Sequence, residues 1–157
     1  KVMGKERTEF YRSQTIPGSG SGEQQVRMLF PNELAARRKR PRYENHWLVV
    51  LTDGDGFTPN DRRLLLYQEV QNRTMAKPKS DERYVIFVPC RNLESWFEWI
   101  ETEKIDEETD YKNKFRNAKP TKFGNRLFQK CQNTDKQNYP ESINDACQQW
   151  EKMVGMT

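Results

Sequence analysis

One short apolar run restricts the possible folds of this chain more than any other feature of its sequence. The run Trp47-Leu48-Val49-Val50-Leu51 is continuous in large apolar residues, and Thr52-Asp53-Gly54-Asp55-Gly56 follows it directly. An apolar run of this length is typical of a central parallel strand that is covered on both faces. The sequence therefore predicts two carboxylates and two glycines at the end of a buried strand.

A helix signal follows this strand. Thr58 can cap a helix that has Pro59 at its first position and Asp61 at its third. The helix is predicted to continue to about Arg73. The apolar spacing predicts that its inner face carries Leu64, Leu65, Tyr67 and Gln68.

A second strand and a second helix repeat the same order. Tyr84–Val88 is apolar, and Asn92 can cap a helix with Leu93, Trp96, Phe97 and Ile100 on one face. Strand, helix, strand, helix is the order of a parallel sheet with a right-handed crossover. The fold class predicted is therefore α/β, a small and mainly parallel sheet flanked by helices.

The remaining elements are predicted from weaker patterns. Residues 8–16 are expected to form a short strand, and a helical pattern from Glu23 is expected to break into two helices at Pro31. Three further helices are expected at Asp110–Lys114, Lys122–Cys131 and Ser142–Met153. We expect a single domain over residues 1–157, with 104–157 as a helical C-terminal extension of it.

The cysteines and the apolar runs bear on the compartment. Cys90, Cys131 and Cys147 give neither a disulfide framework nor a zinc spacing. A Cys131–Cys147 disulfide is an alternative, but without a recognisable secretory signal we expect reduced thiols and a cytoplasmic protein. The longest apolar run is too short to cross a membrane.

Asp53 and Asp55 are the first candidate site residues. Residues i and i+2 of an extended segment point the same way, so both carboxylates are expected to face one point. Two close carboxylates repel each other unless a cation neutralises them, and Mg²⁺ or Mn²⁺ suits such oxygen ligands. The alternative is an ordinary Asp-Gly turn.

Glu94 and Arg91 follow the second strand and are further candidates. Glu94 is expected in the first helical turn, as a ligand or catalytic group beside the aspartates, and Arg91 as a bidentate phosphate clamp. The alternative for Glu94 is a favourable interaction with the helix dipole. His46 is the single histidine and has no evident partner, which argues against serine-hydrolase and zinc-enzyme chemistry.

A basic block is the candidate nucleic-acid contact. The formal net charge is +4, and five cations crowd six positions: Arg37, Arg38, Lys39, Arg40 and Arg42. Such a block suits phosphate, but a solvated helix end would also favour these residues. The glycine-rich stretch 18–22 before a helix can cradle phosphate through backbone amides, although it lacks the ending of a P-loop.

Four motifs together resemble the TOPRIM domains of topoisomerases, primases and overcoming-lysogenization-defect nucleases, and especially small bacterial TOPRIM-like proteins found with an ATPase in suspected phage defence. The motifs are Gly-Ser-Gly-Glu-Gln at 20–24, Thr-Asp-Gly-Asp-Gly at 52–56, Pro-Cys-Arg-Asn-Leu-Glu-Ser-Trp at 89–96 and Asp-Tyr-Lys at 110–112. The resemblance implies Mg²⁺-dependent phosphodiester chemistry, with Asp53 and Asp55 as the acidic pair that holds the metal. One departure is that no apolar strand ending in Glu precedes them, so either the first strand of such a domain and its glutamate are missing from this chain or this copy lacks that group.

Three functions follow from these patterns. The first is a metal-dependent nuclease acting on DNA or RNA, with an ATPase partner in antiviral defence. The second is a non-catalytic module that binds nucleic acid or a sister subunit through the basic block. The third is nucleotidyl or phosphoryl transfer on a smaller substrate.

Overall fold

The computed structural model describes residues 21–41, 43–133, 136 and 138–155 of the 157-residue chain. The elements of these ranges are α1 Gly22–Arg38, β1 Leu48–Leu51, α2 Pro59–Asn72, β2 Tyr84–Phe87, α3 Leu93–Thr102, α4 Pro120–Cys131 and α5 Glu141–Gly155. The strands pair in parallel, with Val49 opposite Val85 and Val50 opposite Ile86. The predicted α/β class is confirmed, with a sheet of two strands in the part described.

Two apolar clusters lie against this strand pair. Phe30 and Leu34 of α1, together with Leu66 and Val70 of α2, pack on Val50 and the buried side chains of β2. The second cluster joins α3, α4 and α5 around Trp96, Phe97 and Ile143. Helix α5 also contacts β2, and Gln149 accepts a hydrogen bond from the backbone N–H of Ile86 at 3.3 Å. The C-terminal helices therefore belong to the core of the fold, and they protect the outer edge of β2.

The prediction that both faces of each strand are covered is confirmed for β2 and wrong for β1. Tyr84, Val85 and Ile86 are buried, whereas Val49 and Leu51 are 54% and 46% exposed. The physical reason is that α1 packs on β1 from one side, while α5 packs on β2. Among the described residues nothing covers the other face of β1.

Three helix predictions need correction. Helix α1 is continuous through Pro31, because the burial of Phe30 and Leu34 on the core offsets the backbone hydrogen bond lost at the proline. Helix α2 starts at Pro59 as predicted, but it turns Leu66 and Val70 inward and leaves Leu64 44% exposed. The predicted helix Asp110–Lys114 forms turns instead.

The helices predicted near the C-terminus are confirmed as α4 and α5. The strand predicted at 8–16 lies outside the described residues, as do residues 18–20 of the glycine-rich stretch. None of the described helices has the length and apolar character needed to cross a membrane.

The prediction of reduced thiols is wrong for two of the three cysteines. Cys131 at the end of α4 and Cys147 in α5 form a disulfide with their Cα atoms 5.0 Å apart, and Cys90 is free. The bond joins the pair that the sequence offered as the alternative, across a separation of 16 residues. It arises because α4 and α5 pack against each other in the second apolar cluster.

Gly54 lies where the chain after β1 runs closest to the chain after β2. The parallel pairing continues beyond the strands, since Thr52 N–H donates to Phe87 O at 3.1 Å and Gly54 N–H donates to Pro89 O at 2.8 Å. A Cβ atom at position 54 would lie 2.7 Å from Pro89 O and even closer to Cys90 O. Both atoms belong to the backbone and cannot rotate away. Glycine is therefore required at position 54 by the space available.

We expect Gly54→Ala to destabilise the fold by about 1–3 kcal/mol, the usual cost of overpacking a closed site. Gly124→Ala in α4 is a matched control, because a Cβ atom there has no neighbour within 4 Å and alanine favours a helix. Urea unfolding followed by circular dichroism measures both changes. A Gly54→Ala variant as stable as the Gly124→Ala variant would contradict the close approach.

We expect the Cys131–Cys147 disulfide to contribute about 3 kcal/mol to stability, from the loop length it closes. Replacing both cysteines with serine should lower the free energy of unfolding by that amount. Thiol titration in denaturant should find one reactive group before reduction and three after it. Three groups before reduction would show that the bond does not form.

Candidate functional site

The strand ends bring together side chains that are far apart in the sequence. Asp53 follows β1, and Glu94 lies in the first turn of α3, directly after β2. Asp55, Glu94, Lys112 and Arg62 are all close enough to act electrostatically on Asp53. Asp53 therefore lies within electrostatic range of the two other predicted carboxylates, Asp55 and Glu94.

Asp53 is the most perturbed carboxyl of this group. Burial raises its pKa above the usual range, Lys112 and Arg62 lower it, and Asp55 and Glu94 raise it, with a net rise. Its negative charge is thus only partly compensated by the chain's own cations. A carboxylate in this situation favours either a proton or a bound cation.

Asp55 does not continue the strand as expected. Its φ angle is 50° and that of Gly56 is 84°, so the backbone turns here into the left-handed region. The turn forms because Gly56 N–H donates to Cys90 O at 3.2 Å, which curls the loop over the end of β2. The expectation that residues 53 and 55 point the same way in an extended segment is therefore wrong. The two carboxylates remain within electrostatic range through the turn instead.

Arg62 of α2 holds this turn from its buried side. It is 4% exposed, its Nη2 donates to Gly54 O at 2.6 Å, and the same nitrogen lies 3.6 Å from Asp55 Oδ2. Its Nη1 lies 2.8 Å from Glu23 Oε1 at the start of α1. Arg62 thus joins α1, α2 and the loop after β1. Removing one partner of such a buried pair is costly, because the other charge stays buried.

Asn92 and Asp110 place Lys112 opposite the aspartates. Asn92 is 1% exposed, and its Nδ2 donates to Asp110 Oδ1 at 2.9 Å. The same oxygen accepts from the backbone N–H of Lys112 at 2.9 Å, which closes a tight turn. Hydrogen bonding to these groups lowers the pKa of Asp110, so that it stays ionised. The turn presents Lys112 within electrostatic range of Asp53.

Arg91 is exposed, and its charge acts on Asp110, whose pKa it helps to lower. It lies near the turn at Asp110, and the phosphate contact stays a prediction. Its backbone carbonyl also accepts from the N–H of Asp55 at 3.5 Å.

The basic block lies away from this edge. Arg37 and Arg38 form the last turn of α1, whereas Glu23 at its first turn contacts Arg62. Fifteen residues of helix place the block about 22 Å from that contact. Arg38 is engaged by both carboxylate oxygens of Glu82, at 2.8 and 2.9 Å.

The other residues of the block differ in how they are held. Burial lowers the pKa of Arg37, and the neighbouring Arg83 lowers it further. Lys39 is exposed, and Arg40 is 59% exposed and 4.0 Å from Glu44. Arg42 lies outside the described residues. These contacts agree with the alternative interpretation, in which the block is a solvated helix end.

Two residues with nucleophilic or basic potential lie outside the chemistry of the site. Burial raises the pKa of Cys90 to about 11, with a further rise from Glu107 and Glu108, so its thiol stays protonated at neutral pH. His46 Nε2 lies 2.9 Å from Glu44 Oε2 on the surface, before β1. The site therefore offers carboxylates and cations.

The donor set fits a hard divalent cation held by few protein ligands. No group of three or more His, Cys, Asp or Glu side chains in the described ranges is close enough to hold a metal. Mg²⁺ needs only one or two carboxylates, with water and substrate phosphate completing its shell. Asp53 and Asp55 supply that number, and burial, the largest cause of the raised pKa of Asp53, makes its charged form costly without a neighbouring cation.

Sequence reasoning missed the two cations of the site. Arg62 and Arg63 are neighbours in α2, and only the structure shows that the first faces Gly54 while the second pairs with Asp145. Lys112 was available as part of the Asp-Tyr-Lys motif at 110–112, but nothing in its spacing indicated Asp53 as its neighbour.

Comparison with known proteins found no matching family model, no matching curated protein and no matching solved structure. The interpretation of this site therefore depends on its geometry and on the sequence motifs.

We expect Asp53→Asn to stabilise the protein slightly at neutral pH. Because the folded-state pKa is raised above the usual 3.8, the charged form opposes folding once the pH exceeds that value. Removing the charge should raise Tm by about 2 °C. The gain should shrink as the pH falls towards 3.8 and vanish well below it, where the wild-type carboxyl is protonated in both states.

Calorimetry of Asp53→Asn between pH 4 and pH 7.5 tests this sign. Asp81→Asn is the control, since Asp81 is an exposed aspartate just before β2, at the opposite end of that strand from the candidate site. A lower Tm for Asp53→Asn at pH 7.5 in metal-free buffer would mean that Asp53 is already well compensated by Lys112 and Arg62.

Proposed function

We propose that this chain is a divalent-metal-dependent nuclease that hydrolyses phosphodiester bonds of DNA or RNA. The observation that carries the proposal is the partly buried Asp53, whose pKa is raised beside two further carboxylates at the carboxyl ends of two parallel strands. Open α/β sheets bind ligands at this edge. Perturbed carboxylates in such a position are candidates for function.

Each residue of the candidate site has a separate role in this proposal. Asp53 and Asp55 would hold Mg²⁺ or Mn²⁺, which supplies charge neutralisation at the scissile phosphate and at the leaving oxygen. Lys112 lies on the same site and favours a negatively charged group beside Asp53. Glu94 offers a carboxylate that can accept a proton or bind a water, and exposed Arg91 offers a fork-shaped phosphate contact.

Arg62 acts on the site through Asp55 and Gly54. It holds the carbonyl of Gly54 and the carboxylate of Asp55 from the buried side. Arg62 is therefore a positioning residue. Glu23 at the start of α1 pairs with the same guanidinium. The position of the aspartates is therefore coupled to α1.

The resemblance to small TOPRIM-like defence proteins supports the further proposal of an antiviral role with an ATPase partner. It rests on the motif order at residues 20–24, 52–56, 89–96 and 110–112. The first-strand glutamate of TOPRIM domains has no counterpart among the described residues. Under this proposal Glu94 supplies the third carboxylate in place of that glutamate.

A non-catalytic subunit-binding module is the second candidate function. The observation that favours it is the uncovered face of β1, where Val49 and Leu51 are about half exposed. A strand edge with exposed apolar side chains is a common place for another chain to bind. Under this alternative the aspartates would bind metal without cleavage.

We expect the double variant Asp53→Asn, Asp55→Asn to lose metal binding and cleavage while remaining folded. The fold should survive, because the change removes repulsion in a loop at the strand ends. Calorimetric titration with Mg²⁺ and Mn²⁺ measures binding. Incubation with plasmid, single-stranded DNA and RNA measures cleavage.

Two further variants sharpen this experiment. Lys112→Met should bind metal as the wild type does, yet cleave about 100-fold more slowly if the lysine stabilises charge in the transition state. Asp81→Asn should match the wild type in both assays. Metal binding without cleavage by the wild type would favour the subunit-binding module, and no binding at millimolar metal would leave Asp53 and Asp55 as a turn.

A further inference from the structure

The strongest charge asymmetry of the chain lies in the segment 112–130, here called the basic segment. It contains seven cationic and no acidic residues: Lys112, Lys114, Arg116, Lys119, Lys122, Arg126 and Lys130. Because the whole chain has a net charge of +4, the +7 of this segment leaves −3 for all other residues. The basic block at 37–42 is shorter, and it is partly engaged by Glu82 and Glu44.

The basic segment is anchored by aromatic side chains that point inward. Phe115 and Phe123 are buried, and Phe123 stacks on Phe97 of α3 with ring centroids 4.0 Å apart. Phe115 packs edge-on against Phe97 at 5.8 Å. The inward rings fix the backbone of the turns and of α4, so the cations are held on the outer side of a rigid surface.

The outer side forms an open cleft of about 560 Å³. Four cations line it, together with the amides of three asparagines and a single carboxylate, Glu101. The cations of the lining are Lys114, Arg116, Lys119 and Lys122. A cleft with this excess of positive charge and many neutral hydrogen-bond donors is typical of a surface that follows a phosphate backbone.

The carboxylates of α3 do not neutralise this surface. Lys122 lies 4.0 Å from Glu101 and is 65% exposed, and Lys114 pairs with Glu98 while remaining 52% exposed. The exposed Lys122–Glu101 pair is of a kind that contributes about 0–1 kcal/mol, whereas Glu98 is only 13% exposed and holds Lys114 more firmly. Lys130 pairs with Glu103, and Arg126 donates to Ile100 O. Lys119 is exposed and forms no ion pair with a described residue. The positive charge available to a ligand therefore lies mainly at Arg116, Lys119 and Lys122.

The basic segment begins at the candidate site. Lys112 acts on Asp53, and Lys114 and Arg116 follow it within four residues, towards the cleft. We infer that the basic segment is the surface that holds the sugar-phosphate backbone of a nucleic acid and leads it to Asp53 and Asp55. This inference rests on the proposed function, and it names the substrate-binding surface of that site.

The test separates binding from cleavage. The variant Arg116→Gln, Lys119→Gln, Lys122→Gln removes three exposed charges of the cleft. The matched control Lys39→Gln, Arg40→Gln, Arg42→Gln removes three charges of the basic block. Fluorescence anisotropy with labelled single-stranded DNA, duplex DNA and RNA in EDTA, at 50 to 200 mM salt, measures affinity without metal or turnover.

We expect the cleft variant to bind nucleic acid about tenfold or more weakly than the wild type at 50 mM salt. The slope of log affinity against log salt should fall by about 2 to 3, as three phosphate contacts are lost. The control should keep the wild-type affinity and slope. Circular dichroism should show the same fold for all three proteins, because the substituted cleft residues are exposed.

Several outcomes would overturn the inference. These are an unchanged affinity in the cleft variant, an equal or larger loss in the control, or no binding of wild type to any of the three nucleic acids. Binding to phosphatidylserine vesicles in place of nucleic acid would also overturn it, since the surface would then serve a membrane.

The double variant Asp53→Asn, Asp55→Asn should bind nucleic acid in EDTA at least as tightly as the wild type, because it removes two negative charges beside the proposed path of the phosphates. That result, with no cleavage by the wild type, would leave the binding surface in place and reject only the proposed nuclease.

Discussion

The close approach of two backbones at Gly54 is the constraint on which the candidate site depends. A parallel strand pair brings its carboxyl ends together, but the loops that follow are free to diverge. Here they cannot, because Gly54 N–H donates to Pro89 O at 2.8 Å and its carbonyl accepts from Arg62 at 2.6 Å. The absent Cβ leaves room for the carbonyls of Pro89 and Cys90. Asp53 is thereby held beside the start of α3.

Electrostatics at this edge oppose stability and favour a ligand. The fold places a partly buried carboxyl near two others and compensates it only in part with Lys112 and Arg62. A structure that served stability alone would have a neutral side chain at position 53. Arg62 shows the opposite pattern, since its buried guanidinium contacts groups of the chain itself: Gly54 O, Asp55, Glu23 and the ring of Phe57. The charge of Arg62 thus organises the loop after β1, whereas the charge of Asp53 is compensated only in part.

The local patterns of the sequence were sufficient for the order of the elements but not for their environment. Pro59 after Thr58 and Asn92 before Leu93 predicted two helix starts correctly, because capping is decided within a few residues. The exposure of Val49, the inward phase of Leu66 and the Cys131–Cys147 bond all depend on which helix packs on which face. Asp53 was predictable from its place after an apolar run. Lys112 was not, because it reaches Asp53 through a turn that Asn92 and Asp110 build.

The basic block and the basic segment look alike in the sequence, but the structure places their positive charges in different surroundings. A run such as 37–42 is conspicuous because its cations are consecutive, yet a helix end and nearby carboxylates account for much of it. In the basic segment the cations alternate with Phe115, Phe123 and neutral amides, so any short window of the sequence contains fewer charges than the basic block. Because the two rings are buried, the cations between them lie on the solvent side. Lys112, which acts on Asp53, precedes the cleft residue Lys114 by two positions, and this short separation along the chain links the surface to the candidate site.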